Sequence, residues 1–380
     1  MFRPLRVAAS VLGLLVASVA ALTRAEPVAW KPVHPGIEHT HLVRPAPGGG
    51  GSWNIHVLRV DLAQVRLDVV HANDAAIGLE PTTKIAQRAG ALAAINGGYF
   101  LMKGDFKGDS TGTLQIDGVL WSEPDRGRAS VGILREGDRS RLIFGHVTWQ
   151  GLVEAGRQKR SVEGLNRARA ADELVAFTPR FGPATVTDAE GLEVVVRAGR
   201  VTEARDLAGG TAIPADGFVL SAHGKAREWA RRALRKGTRV RLETKLVPVD
   251  AGGEEGWAKA EDILGAGPKL VTGGRIDVTD VREKVPPEFS TTTHPRTAIA
   301  STQDGRALLL VADGRHPPER VGLALPDLAS LLIELGAREA INLDGGGSTT
   351  MVVDGAIVNV PSDQTGERPV SDAIVVRPRR

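Results

Sequence analysis

The chain contains no cysteine. That absence excludes disulfides, cysteine nucleophiles and thiolate metal sites, so in an oxidising compartment the protein must be held by its core alone. It also lacks an excess of one charge, with 48 Lys and Arg against 45 Asp and Glu. Arg3, Arg6 and Arg24 fall in the first 25 residues, which hold no acid, so the remainder balances at 45 against 45. Bulk charge therefore gives no footing for a nucleic-acid partner. Long apolar runs are missing after Leu22. The one run, Val7 to Leu22, is short for a membrane span. With Arg3 and Arg6 before it and the small residues Ser18, Ala20 and Ala25 at its end, it reads as a secretory signal peptide over 1–25. The expected location is secreted or periplasmic in a bacterium, with no membrane span after cleavage, and nothing points to an oligomeric state.

What is present is apolar and glycine-rich. At 380 residues and 42% hydrophobic, the chain is long enough to bury a full core and is not wholly disordered. Forty-five glycines and 22 prolines predict many turns and strands. Residues 26–51, with "RPAPGGGG" at their end, read as a linker or arm. "WNIHVLRVDL" and "VRLDVVHA" alternate as strands and could pair as a hairpin. Thr82 and Thr83 can cap a short helix, "KIAQRAGALA", which runs into a buried strand "AAIN" and then Gly97-Gly98. The stretch 150–250 is more polar. It predicts strands at 174–178, 192–197 and 218–222 and a charged helix at 226–236, an insertion or subdomain within one large domain over 52–380. Further on, "RTAIAST" and "ALLLVADG" read as strands. Pro326 opens a helix with Leu328, Leu331, Leu332 and Leu335 on one face, and Gly336 stops it. The expected fold is α+β: a mixed, largely antiparallel sheet core with flanking helices.

Ala-Ile-Asn followed by glycines occurs twice, at 94–98 and at 340–347, each time after a predicted helix. Two buried strands would thus each end in asparagine and present polar groups at one sheet edge. The second copy, "INLDGGGSTTMVV", lacks the lysine of a P-loop, and a β-branched segment follows it where a dinucleotide-binding loop requires a helix. Both phosphate-loop readings are excluded. What is left is a strand–glycine–strand corner with Asp344 at its lip. The glycines let a ligand approach the main chain, and Ser348, Thr349 and Thr350 add hydroxyls. Asp344 could equally be a turn carboxylate bonded to glycine amides. Other polar residues follow strand ends: Lys269 in "GPKL", Arg296 and Thr297 in "HPRTAI", Asp313 and Arg315 in "ADGRHP", and Glu367 and Arg368 in "PSDQTGERPV". Singly, each is more commonly a surface ion pair or turn residue. Together they supply carboxylates, guanidiniums and an ammonium, and guanidiniums suit bidentate contact with phosphate or carboxylate.

In order, "AAINGGYF", "GAGPKLV", "HPRTAIA", "VADGR", "INLDGGGSTTMVV" and "PSDQTGERPVSDAIVV" resemble the phosphodiester glycosidase family over about 94–380. The resemblance implies an exported hydrolase that cleaves a sugar-1-phosphodiester at its C–O glycosidic bond, with a glycan or envelope polysaccharide as the substrate class. Carried over by position, it places Asp344, Asp313 and Glu367 in the site, and the chemistry makes Asp344 the first candidate for the catalytic carboxylate, with Asp313 or Glu367 as the second. It implies substrate contacts from Asn96, Gly97, Gly98, Lys269, Arg296, Thr297, Arg315, Gly345, Gly346, Gly347, Ser348, Thr349 and Arg368. A phosphodiester leaves as a stable phosphate monoester, so acid assistance matters less than in ordinary glycosidases and charge stabilisation matters more. No cofactor is required, although an Asp-rich site could hold Ca²⁺ or Mg²⁺. The competing readings are a glycan- or phosphate-binding envelope protein without turnover and a metal-dependent phosphodiesterase that breaks P–O.

Overall fold

The computed structural model describes residues 28–125, 127–250 and 254–379. The expected signal peptide lies outside them. Strand outweighs helix, 46% against 13%, so the expected α+β class is corrected to a predominantly β fold. The largely antiparallel core stands. Among the described residues, the one parallel pairing joins Gly164–Leu165 to Leu174–Phe177.

Two sheets form the sandwich that carries the glycine motifs. The first has eight strands in the order Lys31–His34, Ile37–Pro45, Ser52–Val60, Ala307–Ala312, Arg296–Thr302, Ala337–Asn342, Lys269–Thr272 and Arg275–Ile276. The second has five: Ala356–Ile357, Met351–Val353, Ala93–Asn96, Asp372–Pro378 and Val65–His71. Leu58, Leu309 and Ile341 from the first meet Leu67, Ile95 and Ile374 from the second in one fully buried core. Burying each such side chain contributes about 1.5–3 kcal/mol. The outer face of the first sheet is covered by the helix Leu325–Glu334, whose Leu328, Leu331 and Leu332 pack on Ala298, Ala300 and Ala340. The outer face of the second is covered by Thr82–Ala89 through Ile85 and Ala86.

The polar middle builds its own layers. Leu174–Phe177, Leu192–Arg197 and Gly217–Ala222 form, close to the expected positions, and join Gly164–Leu165 and Arg200–Asp206 in a five-stranded sheet. The helix Gly224–Ala233 covers it with Ala226, Ala230 and Ala233. A further sheet centres on the long strand Arg139–Ala155, flanked by Ala129–Glu136, Gln158–Val162 and Val240–Pro248.

Two expectations fail on pairing. The arm expected at 26–51 is mostly strand, since Ile37–Pro45 pairs along Ser52–Val60 from Ile37↔Val60 to Pro45↔Ser52. Its nine residues pair without a break along Ser52–Val60, and the run of glycines falls in the turn around 46–51. Nor do Ser52–Val60 and Val65–His71 form a hairpin. The chain crosses the sandwich between them, and Val65–His71 pairs with the last strand, Asp372–Pro378.

Candidate functional site

The two Ala-Ile-Asn strands lie in opposite sheets, and their asparagines meet at one edge. Both are fully buried. Asn96 Nδ2 donates to the Asp344 carbonyl at 2.7 Å, while its Oδ1 accepts from Thr297 Oγ1 (2.8 Å) and the Thr350 amide (3.1 Å). Asn342 Nδ2 donates in return to Tyr99 Oη (2.8 Å) and the Gly267 carbonyl (3.0 Å). Each asparagine therefore grips the segment that follows the other.

Glycine is required here by close approach. A Cβ on Gly97 would lie 2.1 Å from Asp372 Oδ1, and one on Gly98 would lie 2.7 Å from the Gly265 carbonyl. Asp372 is buried, and its carboxylate accepts from the Gly98 amide (2.7 Å), Ser110 Oγ (3.1 Å) and Ser371 Oγ (2.7 Å). In the second cluster a Cβ on Gly345 would meet the Pro295 carbonyl at 2.6 Å, and one on Gly347 would meet Arg368 Nη2 at 2.1 Å. Gly346 adopts φ 62°, with the Arg315 guanidinium beside it.

Asp344 is the expected catalytic carboxylate that reaches this surface, and it is half-buried. Its amide donates to the Gly97 carbonyl at 3.0 Å, so its main chain is fixed at both N–H and C=O. Burial pushes its carboxyl up to about 6, against the pull of Ser348 and the Arg368 guanidinium. The Ser348 and Thr350 hydroxyls are buried without a hydrogen-bond partner of good geometry. Arg368 makes a bidentate pair with Asp363 at 2.7 and 2.9 Å over Gly347. Arg315 is exposed, at φ 65°, and no ion pair or hydrogen bond occupies it among the described residues.

The other expected residues sit below or beside this surface. Asn96 and Thr297 are fully buried and engaged in internal bonds, with Thr297 Oγ1 also 3.4 Å from Thr349 Oγ1, so they order the loop. Arg296 is 1% exposed. It donates to the carbonyls of Leu323 (2.9 Å), Phe289 (2.6 Å) and Thr292 (2.9 Å) and stacks over Phe289. Burial lowers its guanidinium to about 10. Asp313, 2% exposed, accepts from Asn359 Nδ2 and the Val360 amide and faces Arg320. Its carboxyl is raised, chiefly by burial. Glu367 accepts from the Thr83 amide (2.8 Å) and hydroxyl (2.6 Å) and so caps the helix Thr82–Ala89. Lys269 is buried and paired with Glu339 at 2.9 Å. Asp313, Glu367, Asn96, Thr297, Arg296 and Lys269, expected at the site, are each held by internal bonds in this geometry. The network is continuous nonetheless: Asp313 to Asn359, Asn359 to the Thr349 carbonyl, then Thr297, Asn96 and Asp344.

Tyr99, Asn342 and Asp372 carry much of this architecture; the sequence marked Asn342 as a strand-end asparagine, whereas Tyr99 and Asp372 were given no role. The available signals were the second Asn of the repeated tripeptide, the one tyrosine in the chain, and an aspartate opening the last apolar strand. Tyr99 Oη donates to the Gly267 carbonyl at 2.7 Å, and the Arg128 guanidinium lies 5.4 Å from the ring centroid. Among the described residues, no group of three or more His, Asp or Glu side chains is placed to hold a metal ion.

Residues 190–377, which carry the second glycine cluster, match the model of the phosphodiester glycosidase family, so this part of the chain is homologous to that family. The chain is 43% identical over 68 residues to the mouse N-acetylglucosamine-1-phosphodiester alpha-N-acetylglucosaminidase, a stretch covering 18% of this chain and 13% of that protein. A prophage-derived protein of Bacillus subtilis, YomE, is 37% identical over 83 residues, 22% of this chain and 13% of the other. Among solved structures, a hypothetical protein from Synechocystis superposes with a TM-score of 0.80 at 25% identity, covering 93% of this chain and 64% of the other. A putative exported protein of Burkholderia pseudomallei gives 0.76 at 27% identity, covering 88% and 75%. The zebrafish N-acetylglucosamine-1-phosphodiester alpha-N-acetylglucosaminidase catalytic domain gives 0.50 at 16% identity, a likeness of fold.

Proposed function

We propose that this chain is an exported hydrolase that cleaves a sugar-1-phosphodiester at the C–O glycosidic bond, with an envelope glycan as the substrate class. The observation that carries the reading is the half-buried Asp344 carboxyl, raised to about 6, on a glycine loop flanked by Arg368 and the unoccupied guanidinium of Arg315. A carboxylate beside guanidiniums can serve an anomeric centre on one side and a phosphate on the other. Water attacks the anomeric carbon. The C–O bond breaks, and the electron pair leaves on the phosphate's bridging oxygen. Asp344 takes the proton from the water or steadies the oxocarbenium-like centre. Arg315 offsets the growing charge on the departing phosphate. Asp313 and Glu367 are committed elsewhere, which suits a leaving group stable enough to depart without a general acid. Export is supported by the likeness to the Burkholderia protein and by the apolar run before Leu22. Among the described residues no helix is long and apolar enough to cross a membrane.

Hydrolysis of a synthetic sugar-1-phosphate methyl diester in ¹⁸O-labelled water tests the reading. The label is expected in the sugar. Label in the phosphate, with activity lost in chelator, would assign a metal phosphodiesterase, and absence of both products would assign a binding protein.

A further inference from the structure

A cavity of about 640 Å³ opens where the segment 109–125 faces the loop 163–173 of the five-stranded sheet. It adjoins the glycine-loop surface. Ser110 Oγ donates to Asp372, the Thr111 amide donates to the Tyr99 carbonyl, and Arg128 bridges from the Tyr99 ring to Asp125 at 3.7 Å.

Most carboxylates lining this cavity are already used. Glu123 accepts from Arg167 Nε (2.5 Å) and the Leu165 amide (2.9 Å). Glu173 takes Arg167 from the other side at 2.7 Å, and Glu163 accepts from the Leu174 amide and faces Arg160. Asp109 differs. It is 5% exposed and forms no ion pair, and beyond the adjacent Ser110 amide nothing reaches its carboxyl among the described residues. Burial and the Glu123 carboxylate push it up to about 8, with Arg167 pulling the other way. Asp109 lines the cavity, and the raised value favours its protonated form, which can donate a hydrogen bond there. A buried donor without an acceptor costs free energy unless a ligand supplies one. Trp149 lines the same cavity.

We propose that this cavity is a saccharide subsite. A neutral sugar unit stacks on Trp149, accepts a hydrogen bond from the Asp109 carboxylic acid and donates hydroxyls to Glu123 and Glu173. The chemistry excludes the alternatives. Several carboxylates repel a phosphate, and their own arginine partners leave no net need for a cation. The inference rests on the proposed reading only in placing this sugar beyond the phosphodiester that Asp344 attacks.

The test is titration of the full chain with maltose, cellobiose, mannobiose and N,N′-diacetylchitobiose, read by calorimetry and saturation-transfer NMR. At least one is expected to bind, with Trp149→Ala and Asp109→Ala each weakening it by about tenfold or more. Asp109→Asn, which keeps a donor and the shape of the acid, should bind as wild type does and shows that the site tolerates substitution. Asp344→Asn should also bind normally. The proposal is overturned if none of the four sugars binds at about 10 mM, or if both alanine variants bind as well as wild type. Turnover of the methyl diester without sugar binding removes the subsite and leaves the hydrolase. Sugar binding without turnover does the reverse.

Discussion

Two arginines expected from sequence to contact phosphate should part company on mutation. Arg296→Ala removes three donors from the carbonyls of Leu323, Phe289 and Thr292 and empties a site that is 1% exposed. The Leu323 carbonyl keeps the His294 amide as a donor, so the Phe289 and Thr292 carbonyls are the ones left unpaired, at about 1–3 kcal/mol each, and the lost contact with Phe289 adds about 1 kcal/mol. Against this stands the cost of burying the cation. The drop from 12.5 to about 10 corresponds to roughly 3 kcal/mol, which the variant recovers. At the middle of these ranges the net is a loss of about 2 kcal/mol of stability. Arg315→Ala removes an exposed side chain that makes no hydrogen bond or ion pair among the described residues, so its stability change should stay within about 0.5 kcal/mol. Thermal unfolding and steady-state hydrolysis separate the two. Arg296→Ala should melt markedly lower. Arg315→Ala should melt with wild type yet lose about tenfold to a hundredfold in kcat/KM on the methyl diester. On an aryl glycoside, which has no phosphate to hold, Arg315→Ala should act almost as wild type. Full activity of Arg315→Ala on the diester would remove it from the mechanism. A wild-type melting temperature for Arg296→Ala would refute the scaffold assignment.

Three further outcomes follow from the same geometry. Wild-type activity should rise with pH near 6, where the Asp344 carboxyl ionises, and Asp344→Asn should abolish hydrolysis. Because the folded value lies above the ordinary 3.8, wild-type stability should fall as pH rises from about 4 through 6, by on the order of 2–3 kcal/mol. The asparagine variant should therefore melt higher than wild type at pH 7, and a lower melting temperature would argue against the raised carboxyl. Gly97→Ala drives a methyl group into the pinned Asp372 carboxylate and should cost about 2–4 kcal/mol in denaturant unfolding, whereas a wild-type midpoint would mean that Asp372 gives way. Glu367→Ala should lose about 1 kcal/mol through the helix cap and keep its turnover number, and loss of turnover at unchanged stability would restore Glu367 to the catalytic set.

The sequence made the glycine corner legible because a run of glycines between two apolar strands has few structural reasons to exist. It could not say which side of a strand each flanking residue takes. In "HPRTAI" the alternation sends Thr297 inward to Asn96, while Arg296 joins the row of Ala298 and Ala300 under the helix Leu325–Glu334. A one-residue difference decides between loop support and outer-face scaffold, and the motif spells both alike. Glu367 failed for another reason. Its partner, Thr83, lies 284 residues earlier, so nothing near it in the chain marks it as a helix cap. The polar middle was readable strand by strand because its Val-rich runs alternate. The cavity at Asp109 was not, since it exists only where the segments 109–125 and 163–173 meet.

The repeated tripeptide explains why the candidate site lies at a seam between two sheets and not on either one. A catalytic carboxyl must be held within fractions of an ångström, and a loop at one sheet edge has only its own turn to hold it. Here the loop after Asn342 is held by Asn96 and by the Gly97 carbonyl, which fix Asp344 at its C=O and its N–H. The segment after Asn96 is held in turn by Asn342 through Tyr99. Each sheet supplies the clamp for the other's loop. The glycines are what let the loops approach closely enough to be clamped, since side chains at 97, 98 or 345 would strike Asp372, Gly265 or Pro295. The same packing half-buries the Asp344 carboxyl, and burial raises it. Glycine content, exchanged asparagines and the perturbed acid are thus three consequences of one packing decision, and none can be altered alone without moving the reacting group.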